Sequence, residues 1–232
     1  SAFAEDGTSG TLNAKVISAS GNSISGASIS VSSSSTGVSR SASSDSDGSA
    51  TLPLLAIGSY NVTVSAGGFQ TLSDTITVDL GNTSYNFVMS SGDMEEMTVT
   101  GVQQVKDFDS TTTGISVDVD ELINTTPVAR NITAIQLLAP GTQSGDSAFG
   151  NLASIGGSSP AENVYIVNGL NTTNFRNFTG SSSVPFEFYE QVEVKTGGYQ
   201  AEFGKATGGV VNAVTKSGSN DWEFGFNVSY TP

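Results

Sequence analysis

The sequence predicts a mostly β protein whose second domain is α+β, and three observations carry that prediction. From Gly10 to about Ser90, apolar and polar residues alternate with period two between turn signals, the pattern of half-buried strands. Helical spacing first enters around Leu122, and strand patterns return at Val164. Gly contributes 27 residues and charged types only 13 %, which suits a turn-rich β chain. The 232 residues leave room for one or two domains. Against 8 basic residues stand 22 acidic ones, and a net charge of −14 repels phosphate backbones, so no nucleic-acid partner is expected. Cys and His are both absent, which excludes disulfides, thiol nucleophiles, Cys/His zinc sites and His-based triads. No metal, cofactor or catalytic residue is expected. No run of about 18 apolar residues offers a membrane helix. Ser1-Ala2-Phe3-Ala4 has the small-x-small pattern of an export-signal cut and is assigned to a tail over 1–9.

Taken in order, the period-two segments are Leu12–Ala19, Ala27–Ser32, Gly37–Ser43, Ser49–Leu54, Gly58–Ala66, Thr71–Val78 and Ser84–Met89. Seven short strands predict a β-sandwich over 10–90. Asp45-Ser46-Asp47-Gly48 has the opening of a calcium loop but lacks its later oxygens, so a tight turn is expected, with Asp bonding nearby amides and Gly taking positive φ. Gly10 with Leu12, Gly26-Ala27, the Asp45–Gly48 turn, Ile57-Gly58-Ser59-Tyr60 and Gly67-Gly68-Phe69 resemble the transthyretin-like, carboxypeptidase regulatory-like domain. That resemblance implies an accessory sandwich without catalytic residues.

A linker over 91–101 follows. Within it Met94-Glu95-Glu96-Met97-Thr98-Val99-Thr100 is a short extended segment able to add to the edge of a partner's sheet through main-chain hydrogen bonds, with an ordinary edge strand as the alternative. Glu96, Met97, Thr98, Val99 and Thr100 resemble the TonB box of outer-membrane transporters, which implies that the periplasmic protein TonB docks there.

Further on, Arg130-Asn131 precede Ile132, Ile135, Leu137 and Leu138 at helical spacing, and Pro140-Gly141 stops the helix. Its apolar face is expected to include Leu137 and Leu138. A Gly/Ser-rich loop spans Gly145 to Ala161, Val164–Val167 reads as a strand, and Asn168-Gly169 as a tight turn. In Asn171, Thr172, Asn174, Phe175, Arg176, Asn177 and Phe178, neutral hydrogen-bonding side chains alternate with two Phe and one Arg. Recognition loops use that mixture, and a solvated loop with Phe packed beneath it is the alternative. Val192–Lys195 reads as another strand. Gly204-Lys205-Ala206 lacks the spacing and hydroxyl of a phosphate cradle, and Gly208-Gly209 instead precede a strand from Val210 to Thr215.

Arg130-Asn131, Pro140-Gly141-Thr142, Asn163 to Gly169 and the block from Val192 to Lys216 resemble the plug of TonB-dependent receptors, most closely the Oar-like subfamily, which carries a similar sandwich ahead of its plug. Asn168 departs from the Asp that many relatives place before the Gly. The resemblance assigns 102–218 to the plug and 219–232 to the first strand of a β-barrel, where Trp222, Phe224, Phe226, Val228 and Tyr230 alternate with small polar residues. It implies a gate within an outer-membrane barrel of about 22 strands, with the sandwich in the periplasm and loops around 143–158 and 171–178 facing an extracellular ligand, peptide or protein-derived. Glu193, Glu202 and Lys205 are the expected plug–barrel contacts, since charges in a wet lumen need partners. The alternative function is a surface adhesion or scaffolding protein of two β-rich modules.

Overall fold

The computed structural model describes residues 8–91, 101–105, 112–147, 150–176, 179–182, 184–199, 203–204, 206–220, 222, 224 and 226. In the amino-terminal part, β1 (Gly10–Ser18), β2 (Ser28–Ser33), β3 (Ser39–Ser43), β4 (Ser49–Leu55), β5 (Gly58–Ser65), β6 (Leu72–Val78) and β7 (Gly81–Met89) agree with the seven period-two segments to within three residues. The pattern is physical: along β5, Tyr60, Val62 and Val64 are buried while Ser59, Asn61 and Thr63 are exposed. Two four-stranded sheets, β4-β1-β7 with an added strand at its β7 edge and β3-β2-β5-β6, enclose one apolar core that includes Leu12, Val16, Ile29, Val31, Val62, Ile76 and Phe87.

The eighth strand changes the expected architecture. β8 (Gly101–Val105) pairs antiparallel with β7, Phe87 opposite Val102, so the sandwich sheets hold eight strands and not seven. Residues 102–105, which the sequence reading gave to the plug, are carried on the sandwich edge. The reason is non-local: a neighbouring strand edge, invisible in the local pattern, captures their backbone. On the opposite edge, β4 tolerates Pro53 because an edge strand need not donate on its outer side, and Leu54 takes φ 57° where the β1–β4 register shifts.

The Asp45 turn is built as expected. Its Oδ1 accepts the Asp47 and Ser49 amides, each at 2.9 Å, and Gly48 sits at φ 77°, a conformation that favours glycine.

In the carboxy-terminal part, β9 (Thr113–Asp118), β12 (Val164–Val167), β13 (Leu170–Asn171), β14 (Tyr189–Gly197) and β15 (Val210–Thr215) form a five-stranded sheet in the order β13-β12-β15-β14-β9. Two short helices, α1 (Val119–Thr125) and α2 (Ile132–Gln136), pack beside it, and a small hairpin of β10 (Thr142–Ser144) and β11 (Ala153–Ile155) occupies part of the Gly/Ser-rich loop. The Asp118 carboxylate caps α1 by accepting from the Glu121 amide, and Asn131 caps α2 by accepting from Ala134. The predicted helical face fails at its end. Leu137 and Leu138 are exposed, while Ile135 and Gln136 are buried. α2 ends at Gln136 with Leu137 as its C-cap, so the chain turns before a sixth residue can continue the apolar stripe.

Candidate functional site: the plug sheet and its loops

The sheet positions a clasped loop. Asn168 at φ 49° and Gly169 at φ 77° form the two-residue turn joining β12 to β13, the geometry in which Asn is tolerated at positive φ. Asn168 also accepts the Thr215 amide and donates to the Thr215 hydroxyl, tying the turn to β15. Beyond the turn, the Thr172 amide donates to Tyr165 O at 2.8 Å, and the Thr173 hydroxyl accepts the Tyr165 amide at 3.0 Å. The two arms then meet: Asn174 donates to Gly180 O and Ser182 to Thr172 O, each at 3.0 Å. Asn171 and Asn174 spend their side-chain oxygens on the loop itself, accepting the Thr173 and Arg176 amides. Phe175 is 64 % exposed and so does not pack beneath the loop, and Arg176 stands exposed beside it. Asn177 and Phe178 lie outside the described residues.

Next to the returning arm is a cleft of about 360 Å³ lined by Arg130, Ile132, Tyr165, Ser181, Phe186 and Tyr189. Arg130 reaches Glu187 at 3.4 Å across its mouth, with both side chains more than a third exposed. Burial pushes the Tyr165 phenol above its ordinary value, opposed by the neighbouring Gln136 and Asn163 amides. Gln136 is fully buried, and neither its carboxamide nor the Tyr165 hydroxyl reaches hydrogen-bonding geometry.

Asn163 is the better-satisfied buried amide. A 3₁₀ turn over Pro160–Glu162, closed by a capping box between Ser159 and Glu162, delivers Asn163 to the sheet edge. There it donates to Ala153 O at 2.8 Å and accepts the Gly209 amide at 2.9 Å. Gly209 has to be small: a Cβ would strike the Ile155 side chain.

Of the three expected plug–barrel contacts, only Glu193 is described, and it pairs within the plug. Lys195 Nζ lies 3.5 Å from its Oε1, with the two side chains 6 % and 16 % exposed. The ammonium also sits 4.7 Å from the centre of the Phe203 ring, which meets Tyr199 edge-on. The period-two alternation of Val192-Glu193-Val194-Lys195 puts Lys195 on the Glu193 face, and that was the signal for the pair. Glu202 and Lys205 lie outside the described residues, as do Glu96, Met97, Thr98, Val99 and Thr100. Of the predicted barrel strand over 219–232, Ser219, Asn220, Trp222, Phe224 and Phe226 are described, the three aromatic side chains each over 90 % exposed. Among the described residues no cluster of acidic side chains could hold a metal ion, and no helix is long and apolar enough to cross a membrane.

A second polar site was not anticipated. Gln191 on β14 is 5 % exposed and reaches into the sandwich, where its Oε1 accepts the Leu80 amide at 2.7 Å and its Nε2 donates to Asp79 Oδ1 at 3.0 Å. Burial raises the Asp79 carboxyl; the Gln191 bond opposes that, and Asp118 and Glu121 add to it. Glu190 is likewise raised, first by burial and then by Asp118. No local pattern reveals Gln191, because its partners lie about 110 residues away in the chain.

Comparison with known proteins accords with this architecture. Residues 11–90 match the carboxypeptidase regulatory-like domain, and residues 89–210 match the TonB-dependent receptor plug domain. The TonB-dependent transporter Oar of Myxococcus xanthus is 33 % identical over 201 residues, covering 82 % of this chain and 18 % of that protein. The ferrienterobactin receptor of Escherichia coli K12 is 32 % identical over 127 residues, covering 47 % of this chain and 17 % of the receptor. The chain therefore spans under a fifth of the length of these relatives. Among solved structures, the Bacillus anthracis TIE protein aligns with 36 % of this chain and 17 % of its own at 19 % identity and a TM-score of 0.33, too distant to carry an argument. With the plug match extending over more than half of its residues, this chain belongs to the TonB-dependent receptor plug family, a non-enzymatic family of outer-membrane transporters.

Proposed function

We propose that this chain is the amino-terminal and plug region of a TonB-dependent transporter that gates energy-coupled uptake of a peptide or protein-derived substrate through a barrel of about 22 strands. The plug sits inside the barrel and the sandwich in the periplasm. The carrying observation is positional: the plug match begins at residue 89, at the end of β7, and takes in Glu96–Thr100 between two strands of the sandwich sheet. An acid-led segment whose sequence alternates in the manner of a strand can be drawn onto a partner's sheet edge by backbone hydrogen bonds, and several such bonds loaded together resist a pull. The clasped loop over 171–182, with Phe175 and Arg176 outward, supplies an aromatic anchor and a cation for the ligand face. Asn177 and Phe178 belong to the same proposed surface. Glu193, Glu202 and Lys205 are proposed to meet the barrel wall, Glu193 while keeping its bond to Lys195.

The test is calorimetric titration of the chain with the periplasmic domain of TonB. The wild-type chain binds, and removal of Met97–Thr100 abolishes binding while the melting temperature stays put. Equal binding by both chains overturns the docking assignment. In the intact receptor the same deletion stops energised uptake and leaves ligand binding in place.

A further inference from the structure

We propose that Gln191 is a positioning residue: it latches the sandwich onto β14 of the plug sheet, so that the two domains turn as one body. Domains in one chain move relative to each other by default unless their interface holds them. Here the joint is small but fully engaged. The Gln191 carboxamide uses its acceptor on the Leu80 amide and one donor on the Asp79 carboxylate, so one buried side chain grips two consecutive residues of the β6–β7 turn. That turn is itself fixed, because the Asp79 amide donates to the Thr83 hydroxyl at 3.0 Å. The Leu80 side chain is 5 % exposed yet belongs to neither hydrophobic core, as expected of a residue buried between domains.

Two further contacts flank the latch. A Cβ on Gly58, at the start of β5, would lie 3.9 Å from Glu190 Oε1, so the strands approach to van der Waals range. Asn220 donates to Ser35 O and Thr36 O at the β2–β3 turn. A buried hydrogen-bonded amide is costly to leave unpaired, so opening the joint orphans Gln191 and the Leu80 amide together. That makes the closed arrangement specific as well as favourable.

The consequence is mechanical. β14 pairs with β9, which follows β8 in the chain, and through Gln191 it also grips the turn that begins β7. β7 and β8 flank the segment over 92–100, so their two routes into the plug converge on β14. This consequence rests on the docking reading above; the latch does not.

The test exploits the absence of Cys. Lys15→Cys on β1 and Asn124→Cys on α1, both exposed positions, carry spin labels that report the distance between domains by pulsed electron resonance. The otherwise unaltered chain gives one narrow distribution. Gln191→Met, which keeps the volume and removes both bonds, at least doubles its width while circular dichroism shows both domains folded. Asp79→Ala with Leu80→Ala removes the carboxylate that accepts from Gln191 and the apolar side chain buried at the joint, at a turn outside either core and with the Leu80 amide kept; it also broadens the distribution and decides the matter if Gln191→Met does not fold. An unchanged width in the folded variants overturns the latch, whether or not TonB binds the chain.

Discussion

The buried polar side chains of the sandwich are Ser33, Ser44, Thr83 and Ser90, whereas those of the plug include Gln136, Asn163, Gln191, Lys195 and Asn212. The sandwich polar groups are short hydroxyls: Ser44 accepts the Ala27 amide and donates to Ile24 O, stitching a turn under the core. The plug groups include longer amides and an ammonium that tie separate segments together, Asn163 joining β11 to β15 and Lys195 bridging β14 to the Phe203 arm. One domain is held mainly by apolar burial, which is non-directional, and the other depends on polar groups that stabilise only while their partners stay in place. A domain of the second kind gives way sooner when its geometry is disturbed, a property that suits the gate proposed above.

Substitutions can sharpen or break that contrast. The largest loss is expected from Phe87→Ala, whose fully buried ring should cost about 3–5 kcal/mol of sandwich stability in a denaturant titration and leave the plug transition in place. In the plug, Asn163→Ala removes no large apolar surface but orphans Ala153 O and the Gly209 amide, at roughly 1–3 kcal/mol for each buried group. A negligible effect would show that the plug core is not held by its amides. On the sandwich surface, Asp45→Ala loses two exposed bonds to turn amides and should lower stability by only about 1 kcal/mol, read from the melting temperature.

A pH effect concentrates where the domains meet. Asp79 faces Gln191 on β14, Asp118 at the end of β9 and Glu121 on α1, and its carboxyl is raised when docked. Glu190 faces Asp118, Asp120 and Lys216 and is raised as well. A group raised in the docked state favours docking fully below its free value and loses that contribution as pH rises through its docked value. Acidification from neutrality is therefore expected to tighten the joint, narrowing the spin-label distribution, and Asp79→Asn should weaken that dependence. The smallest effect on folding belongs to the loop: Phe175→Ala and Arg176→Ala should change stability by no more than about 0.5 kcal/mol, because both side chains are exposed. Thermal melts check that, and loss of ligand uptake by the same variants in the intact receptor would locate the ligand face.

The contrast also explains which parts of the molecule were legible in the sequence. Strands such as β5 announce themselves because one face is apolar and the other polar, and the Asp45 and Asn168-Gly169 turns because few residues accept their backbone angles. β8 was hidden, since its capture depends on the free edge of β7 and not on its own side chains. Hydropathy put Leu137 and Leu138 inside, whereas the helix stops too early for them to be covered, and Gln136 is buried instead. Lys195 was implied by alternation, but its burial depends on Phe203 arriving from a later segment. Gln191 carried no signal, because a turn of the other domain supplies its partners.

The plug is expected to be the weaker, polar-held body beside an apolar sandwich. Native-state hydrogen exchange through a denaturant series measures this strand by strand. Amides of β12, β14 and β15 are expected to open at a lower free energy than those of β1, β2, β5 and β7, as a separate cooperative unit. Equal opening energies across all seven strands, merging in a single global event, would contradict it.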